Sequence, residues 1–102
     1  MHRSWVYIVE CSDKSFYIGS TTDLNQRLID YNTGRYRGYT SSRIPVKLLW
    51  SLEFSYIRDA FTFERQIKVW SRAKKEALMR GDFDLLHLLS RSTVMKKKSG
   101  VK

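Results

Sequence analysis

The chain opens on an apolar run, SWVYIVEC, breaks at the polar SDKS and resumes with FYIG. Residues 5 to 11 and 16 to 19 are rich in Val, Ile, Tyr and Phe, which suit a pleated, half-buried surface. The pattern therefore predicts two strands joined as a hairpin. Strand side chains alternate between faces, so Tyr7 and Tyr17 share a face only when paired positions sum to an even number. Val9 opposite Gly19 with Cys11 opposite Tyr17 is one such register, and it needs an odd loop such as Asp13-Lys14-Ser15. A turn made of Asp13-Lys14 alone would put the two tyrosines on opposite faces.

The period then changes. In STTDLNQRLIDYNTG, Leu24 and Leu28 lie one turn apart, Thr22 or Asp23 can cap the start and Gly34 can stop the run, so a helix is predicted. Arg27 and Tyr31 project from the same side of it. Residues 35 to 46, RYRGYTSSRIPV, read as a basic, aromatic, hydroxyl-rich loop, and KLLWSLEF, 47 to 54, as a third strand. Ser55 can cap a helix from about Tyr56 to Trp70, with an apolar stripe through Ala60, Phe63, Ile67 and Trp70. RAKKEALM extends the helical pattern to near Gly81-Asp82, and DLLHLLS suggests a last short helix. The predicted class is α+β: a three-stranded antiparallel sheet, made of the N-terminal hairpin plus one strand, covered by helices. Residues 1–90 are read as one domain. The tail 91–102 is basic, with little to bury, and is expected to be disordered.

Composition narrows the function. At 102 residues the chain can bury one small core, and 42% hydrophobic with 14% aromatic content is that of a folded protein. No apolar run approaches the roughly 20 residues that span a bilayer, and MHRSWVYIVE lacks a signal-peptide pattern, so a cytoplasmic protein with no membrane partner is expected, a monomer in the first instance. The single cysteine, Cys11, has no disulfide partner and with His2 and His87 cannot build a zinc cluster; strand packing is its expected role. The net charge of +9 points instead to an anionic polymer. The cations are also clustered: Arg35, Arg37, Arg43 and Lys47 stand in a segment without an acid, and residues 65 to 80 oppose six cations to Glu76 alone.

Two residues stand out chemically. Glu64 falls inside the apolar face of its helix, where a carboxylate is costly unless a cation meets it. That cation can be an arginine such as Arg27, making a structural ion pair, or a hard divalent metal completed by water and phosphate oxygens. Arg27 can clamp a phosphate through two hydrogen bonds and hold negative charge that builds up in phosphodiester cleavage. Taken alone, the tyrosines are ordinary strand packing.

Together these residues are more specific. VYI at 6 to 8, YIG at 17 to 19, QRL with Arg27, Tyr31 four residues later, FERQIK with Glu64, and KVW followed by Lys74 and Lys75 resemble the GIY-YIG nuclease family over roughly residues 4 to 80. The likeness is greatest to its small, single-domain, YhbQ-like branch. Val6 stands in place of the first Gly, Ser20 where some members have Lys, and Glu76 near the place of an Asn. The resemblance implies that Tyr7 and Tyr17 point into the site, that Arg27 binds the scissile phosphate, that Tyr31 takes the place of a His, and that Glu64 holds one divalent ion, Mg²⁺ or Mn²⁺. The implied reaction is hydrolysis of DNA phosphodiester bonds, structure-directed or non-specific, with Tyr7 as general base and Tyr17 positioning water or phosphate. Because a tyrosine hydroxyl has a reference pKa of about 10, such a base needs its phenolate favoured by neighbours. Arg35, Arg37, Arg43, Lys68, Arg72, Lys74 and Lys75 then become candidate phosphate contacts, with Tyr36 and Tyr39 as stacking platforms for unpaired bases. The competing expectation is a catalytically weak or inactive nucleic-acid-binding module with the same fold.

Overall fold

In the computed structural model, residues 3–85 are described. The chain forms two compact units, one ending at Lys68 and the other beginning at Val69. The first contains β1 (Ser4–Glu10), β2 (Phe16–Thr21), α1 (Leu24–Asn32), β3 (Lys47–Phe54) and α2 (Ile57–Lys68), and the second contains α3 (Arg72–Arg80). The three strands form one antiparallel sheet in the order β2-β1-β3, which is the architecture expected from the pattern.

β1 is central, and its side chains are the core. Val6, Tyr7, Ile8 and Val9 have no exposed surface. Fully burying an aliphatic side chain of this size is worth about 1.5–3 kcal/mol, so this short run carries much of the unit's stability. Alternation divides the run between two layers. Tyr7 and Val9, with Cys11, pack against Leu24, Leu28 and Tyr31 of α1 and against Val46. On the opposite face, beside Ile8 and Ser4, β3 presents Trp50 and Phe54, and both rings meet Phe63 of α2 at centroid distances of 6.4 and 5.6 Å.

The hairpin register has the parity that places both tyrosines on one face, but not the pairing offered as its example. Tyr7 lies opposite Gly19 and Val9 opposite Tyr17, a register shifted by two residues from Val9 opposite Gly19. The loop is correspondingly longer, Cys11 to Ser15, closed by Cys11 N–H donating to the Ser15 carbonyl at 2.8 Å. Lys14 takes a positive φ of 72°, and Asp13 accepts from the Ser15 amide at 3.0 Å. The loop is tied to the 33–46 segment by Arg43, whose Nε lies 2.9 Å from Asp13 Oδ2 and whose carbonyl accepts from Ser12 N–H at 2.8 Å.

α1 starts where its capping residue allows: Asp23 is extended and its carboxylate accepts from Gln26 N–H. After the helix, Asn32 grips Val46 at both backbone groups, donating to its carbonyl at 3.2 Å and accepting from its amide at 2.7 Å. This pair fixes the return of the 33–46 loop into β3. α2 ends at Lys68, two residues short of expectation, so Trp70 lies beyond the helix rather than on its stripe. The cause is the next cap, Ser71, which accepts from Lys74 N–H and starts α3; Gly81 ends α3 with a left-handed φ of 71°. Most of the short helix expected at DLLHLLS, and all of the tail 91–102, lie outside the described residues.

Candidate active site

Because β2 is an edge strand, groups on the two faces of the sheet can meet around it. Tyr7 reaches that edge from β1. Its ring lies across Gly19, so closely that a Cβ built on Gly19 would fall onto the hydroxyl and stand 2.7 Å from Cζ. The glycine of YIG is thus required by the approach of Tyr7 and not by a turn. Beyond Gly19 the Tyr7 hydroxyl shares a 2.5 Å hydrogen bond with the Tyr31 hydroxyl, and Arg27 Nη1 donates to it at 3.1 Å. The helical spacing that places Arg27 and Tyr31 on one side of α1 brings both onto the same phenol.

Burial raises the Tyr7 phenol above its ordinary value, although the hydrogen bonds from Tyr31 and Arg27 and the Arg27 charge all favour its phenolate. Tyr31 is raised further, by burial first and then by its hydrogen bond to Tyr7. Arg27 donates to Tyr7, so Tyr7 is the phenol of the pair whose phenolate is the better supported, and either hydroxyl can be the donor in the bond between them. Both keep their protons at neutral pH, contrary to the simplest form of the general-base expectation, and Tyr7 has no exposed surface to meet water.

Arg27 is firmly charged: burial opposes its charge, but the surrounding Tyr7, Tyr31 and Tyr36 oxygens outweigh that effect. It also donates weakly to the Ser20 carbonyl, at 3.4 Å, and its guanidinium carbon lies 4.5 Å from the centre of the Tyr36 ring. Every one of these partners is neutral. Among the described residues no carboxylate lies within ion-pair distance of Arg27.

Glu64 approaches the same edge from α2. Ser20 opposes Val6 on the face that α2 covers, and its Oγ donates to Glu64 Oε1 at 2.6 Å. Ser20 thus joins the two halves of the site, its carbonyl facing Arg27 and its hydroxyl holding Glu64. The cation on Glu64 is Lys68, with Nζ 2.9 Å from Oε2, and not Arg27 as the ion-pair alternative offered. Lys68 stands one turn later on the same helix, a geometry the arginine on α1 cannot match. The Glu64 hydrogen bond raises the Lys68 pKa against the opposing effect of burial.

Tyr17 meets Tyr31 edge-on at 6.2 Å and stacks on Tyr39 at 5.8 Å, and Tyr36 tilts against Tyr31 at 5.1 Å. The rings expected to wait for nucleobases thus already have partners: Tyr36 has Arg27, and Tyr39 has Tyr17 and Arg43, whose Cζ is 3.9 Å from its ring centre. Of the candidate phosphate contacts, Arg43 is committed to Asp13, Arg35 reaches Asp30 only at 3.7 Å, and Arg37 is exposed. In the second unit Arg72 pairs with Glu76 at 3.2 Å, Lys74 lies 4.4 Å from the Trp70 ring centre, and burial lowers Lys75.

Among the described residues no three His, Cys, Asp or Glu side chains gather as a ligand cage. The donor set fits an ion held by one carboxylate and completed by water and substrate, which suits Mg²⁺ or Mn²⁺. Glu64 faces a cation in any case, and both its oxygens are held in fixed directions.

Comparison with known proteins gives a consistent result. The family model described as the GIY-YIG catalytic domain matches residues 3–77. A UPF0213 protein of Lactococcus lactis is 42% identical over 83 residues, covering 80% of each chain. Another from Halobacterium salinarum is 44% identical over 78 residues, 76% of this chain and 99% of that protein. Among solved structures, the UPF0213 protein of Bacillus halodurans is 37% identical with a TM-score of 0.51 over 76% of this chain and 83% of its own. An E. faecalis protein is 30% identical with a TM-score of 0.56, over 83% and 90%.

Proposed function

The chain belongs to the GIY-YIG catalytic domain family, and from that premise we propose that it is a metal-dependent endonuclease of DNA. It acts by structure or without sequence preference, in processes of the repair and recombination type. The observation that carries this reading is Arg27: a half-buried, firmly protonated guanidinium surrounded by neutral oxygens and an aromatic face. Burying such a charge without an anion is expensive, so the site is built for an anion that arrives from outside. A backbone phosphate is the anion that the +9 chain attracts.

In this reading the scissile phosphate binds Arg27 and draws its Nη1 away from the Tyr7 hydroxyl. That opens the Tyr7 oxygen to a water molecule, and Tyr31 remains as the hydrogen-bond donor that favours the phenolate. With the phosphate in place, Tyr7 first releases its own proton to solvent; the phenolate then takes a proton from the water whose oxygen bonds to phosphorus. One P–O ester bond breaks, and the leaving sugar oxygen takes a proton from solvent, giving a sugar hydroxyl and a phosphomonoester. Tyr17 positions the phosphate or the water, and Arg27 holds the charge that accumulates on the equatorial oxygens. Glu64, fixed by Ser20, would hold one Mg²⁺ or Mn²⁺, which supplies charge neutralisation and acidifies bound water. Arg35 and Arg37 offer backbone contacts from the loop after α1, and Lys68 from α2.

A second reading, a nucleic-acid-binding module that does not cleave, is favoured by the raised phenols of Tyr7 and Tyr31 and by Lys68 already neutralising Glu64. One assay separates the two. Purified protein is incubated with labelled single-stranded, duplex and branched DNA plus Mg²⁺ or Mn²⁺, beside Glu64→Ala and Tyr7→Phe variants. The nuclease reading expects cleavage that both substitutions abolish. Binding without cleavage under every metal establishes the module, and cleavage that survives both substitutions removes the site.

A further inference from the structure

Lys68 and Glu64 lie one turn apart on α2, and their contact is more than a surface pair. The Glu64 side chain is only 9% exposed, and its Oε2 lies 2.9 Å from Nζ of a lysine that is itself 47% exposed. The other oxygen is held by the Ser20 hydroxyl at 2.6 Å, which fixes the direction in which Oε2 points. A carboxylate with so little water around it needs a cation, and Lys68 provides one. A divalent ion would use the same lone pairs. It cannot share Oε2 with an ammonium a few ångströms away, because like charges at that separation repel strongly wherever water is scarce. Oε1 is occupied by a rigid hydroxyl of β2, whereas Oε2 is occupied by the end of a long, flexible, half-solvated chain. Of the two occupants, Lys68 is the one that can leave.

Resting on the metal-dependent reading above, we propose that Lys68 is a placeholder cation. It neutralises Glu64 while no metal is bound and is displaced from Oε2 when the ion loads. It is then free at the solvent edge of the site to take a backbone phosphate. The apparent affinity for metal is therefore set by a competition that the protein carries within itself, and loading the ion delivers one further positive group to the substrate.

The test follows metal binding without DNA and without turnover. Mn²⁺ is titrated into ¹⁵N-labelled protein at constant ionic strength, and paramagnetic broadening of the Ser20, Gly19 and Ile67 amides is followed in wild type, Lys68→Met, Lys68→Arg and Glu64→Gln. Lys68→Met keeps the aliphatic stem and removes the charge. Its midpoint is expected roughly three- to tenfold lower than wild type, the range for loss of a partly buried charged competitor. Lys68→Arg keeps the charge, and its midpoint stays at or above the wild-type value. The spectra themselves report whether each variant is folded, and Lys68→Gln serves if Met disturbs the helix. An unchanged midpoint in Lys68→Met, with broadening that Glu64→Gln abolishes, overturns the placeholder while leaving the metal site standing. Broadening that Glu64→Gln does not reduce overturns the metal site, and the placeholder with it.

Discussion

Gly19→Ala is the perturbation that tests the geometry of the site most directly. The added Cβ would stand 2.7 Å from Tyr7 Cζ and 3.3 Å from Cε1, and closer still to the hydroxyl. Carbon atoms in contact sit ~3.5–4 Å apart, so the end of the ring must retreat by about 1 Å. Tyr7 has no exposed surface, and its hydroxyl is held at 2.5 Å by Tyr31 and 3.1 Å by Arg27, so there is no open side to retreat into. Overpacking of a filled core costs typically 1–3 kcal/mol, and losing either hydrogen bond adds about 1 kcal/mol. Taking ~2–3 kcal/mol in all, a domain of this size should lose roughly 10–20 °C in Tm by differential scanning calorimetry. The same substitution in a Tyr7→Leu background, where the distal ring atoms are absent, should cost under about 1 kcal/mol, giving a coupling of the order of 2 kcal/mol in a double-mutant cycle. A Gly19→Ala protein as stable as wild type, or equal costs in both backgrounds, would refute the claim that Gly19 is glycine because Tyr7 lies on it.

Other consequences are read by different means. Arg27→Lys keeps the charge but loses the planar fork and the Tyr36 face, so cleavage should fall about 10²–10³-fold while DNA affinity changes little; parallel losses in both would mean that Arg27 only binds. Tyr7 and Tyr31 have raised pKa values, so the folded state holds their protons after the unfolded chain has lost its own. The stability they contribute is present below pH ~10 and is lost as pH rises beyond it, with the unfolded state binding fewer protons. Tyrosinate absorbance should therefore show both phenols ionising only with unfolding, and Tyr7→Phe combined with Tyr31→Phe should flatten the fall of Tm above that pH. DNA affinity should drop linearly on a logarithmic salt axis, and Arg35→Ala or Arg37→Ala should each reduce the slope by about 0.9 if that side chain contacts a phosphate of duplex DNA.

How much of this was legible in the sequence depends on how local each signal is. The bounds of β3, the Asp23 cap and the Gly81 stop are set by neighbours in the chain and agree with the pattern. The shared face of Tyr7 and Tyr17 needs only the parity of the hairpin, which the pattern left open between an odd loop and a two-residue turn and which the observed pairing decides. The register itself does not: the loop is five residues because Asp13 and Ser12 are tied to Arg43, and no local turn preference encodes a contact from the far side of α1. The 33–46 loop misleads in the same way. Its tyrosines look like surface stacking platforms until α1 is placed, and then Tyr36 and Tyr39 turn toward Arg27 and Tyr17.

Ser20 shows what the pattern could not supply, the link between the Arg27 side and the Glu64 side of the site. Periodicity assigns each residue to one face of a strand, and by that rule Ser20 belongs with Val6 and α2, away from Tyr7. Its side chain does go there, to Glu64, while its carbonyl accepts from the arginine on the opposite side. Only a backbone group on an edge strand can serve both faces, because the outer side of that strand has no neighbouring strand to satisfy it. Tyr7 can join the arrangement from the central strand because Gly19, between it and the edge, has no side chain. The glycine and the serine of YIGS therefore act as a pair: one lets the phenol cross to the edge, and the other ties the arginine half of the site to the carboxylate half. Replacing Ser20 by Ala should on this argument leave Arg27 in place and loosen Glu64 alone. The variant would then lose metal-dependent cleavage while keeping its affinity for DNA in the absence of metal, and equal loss of both would mean that the two halves are not joined through Ser20.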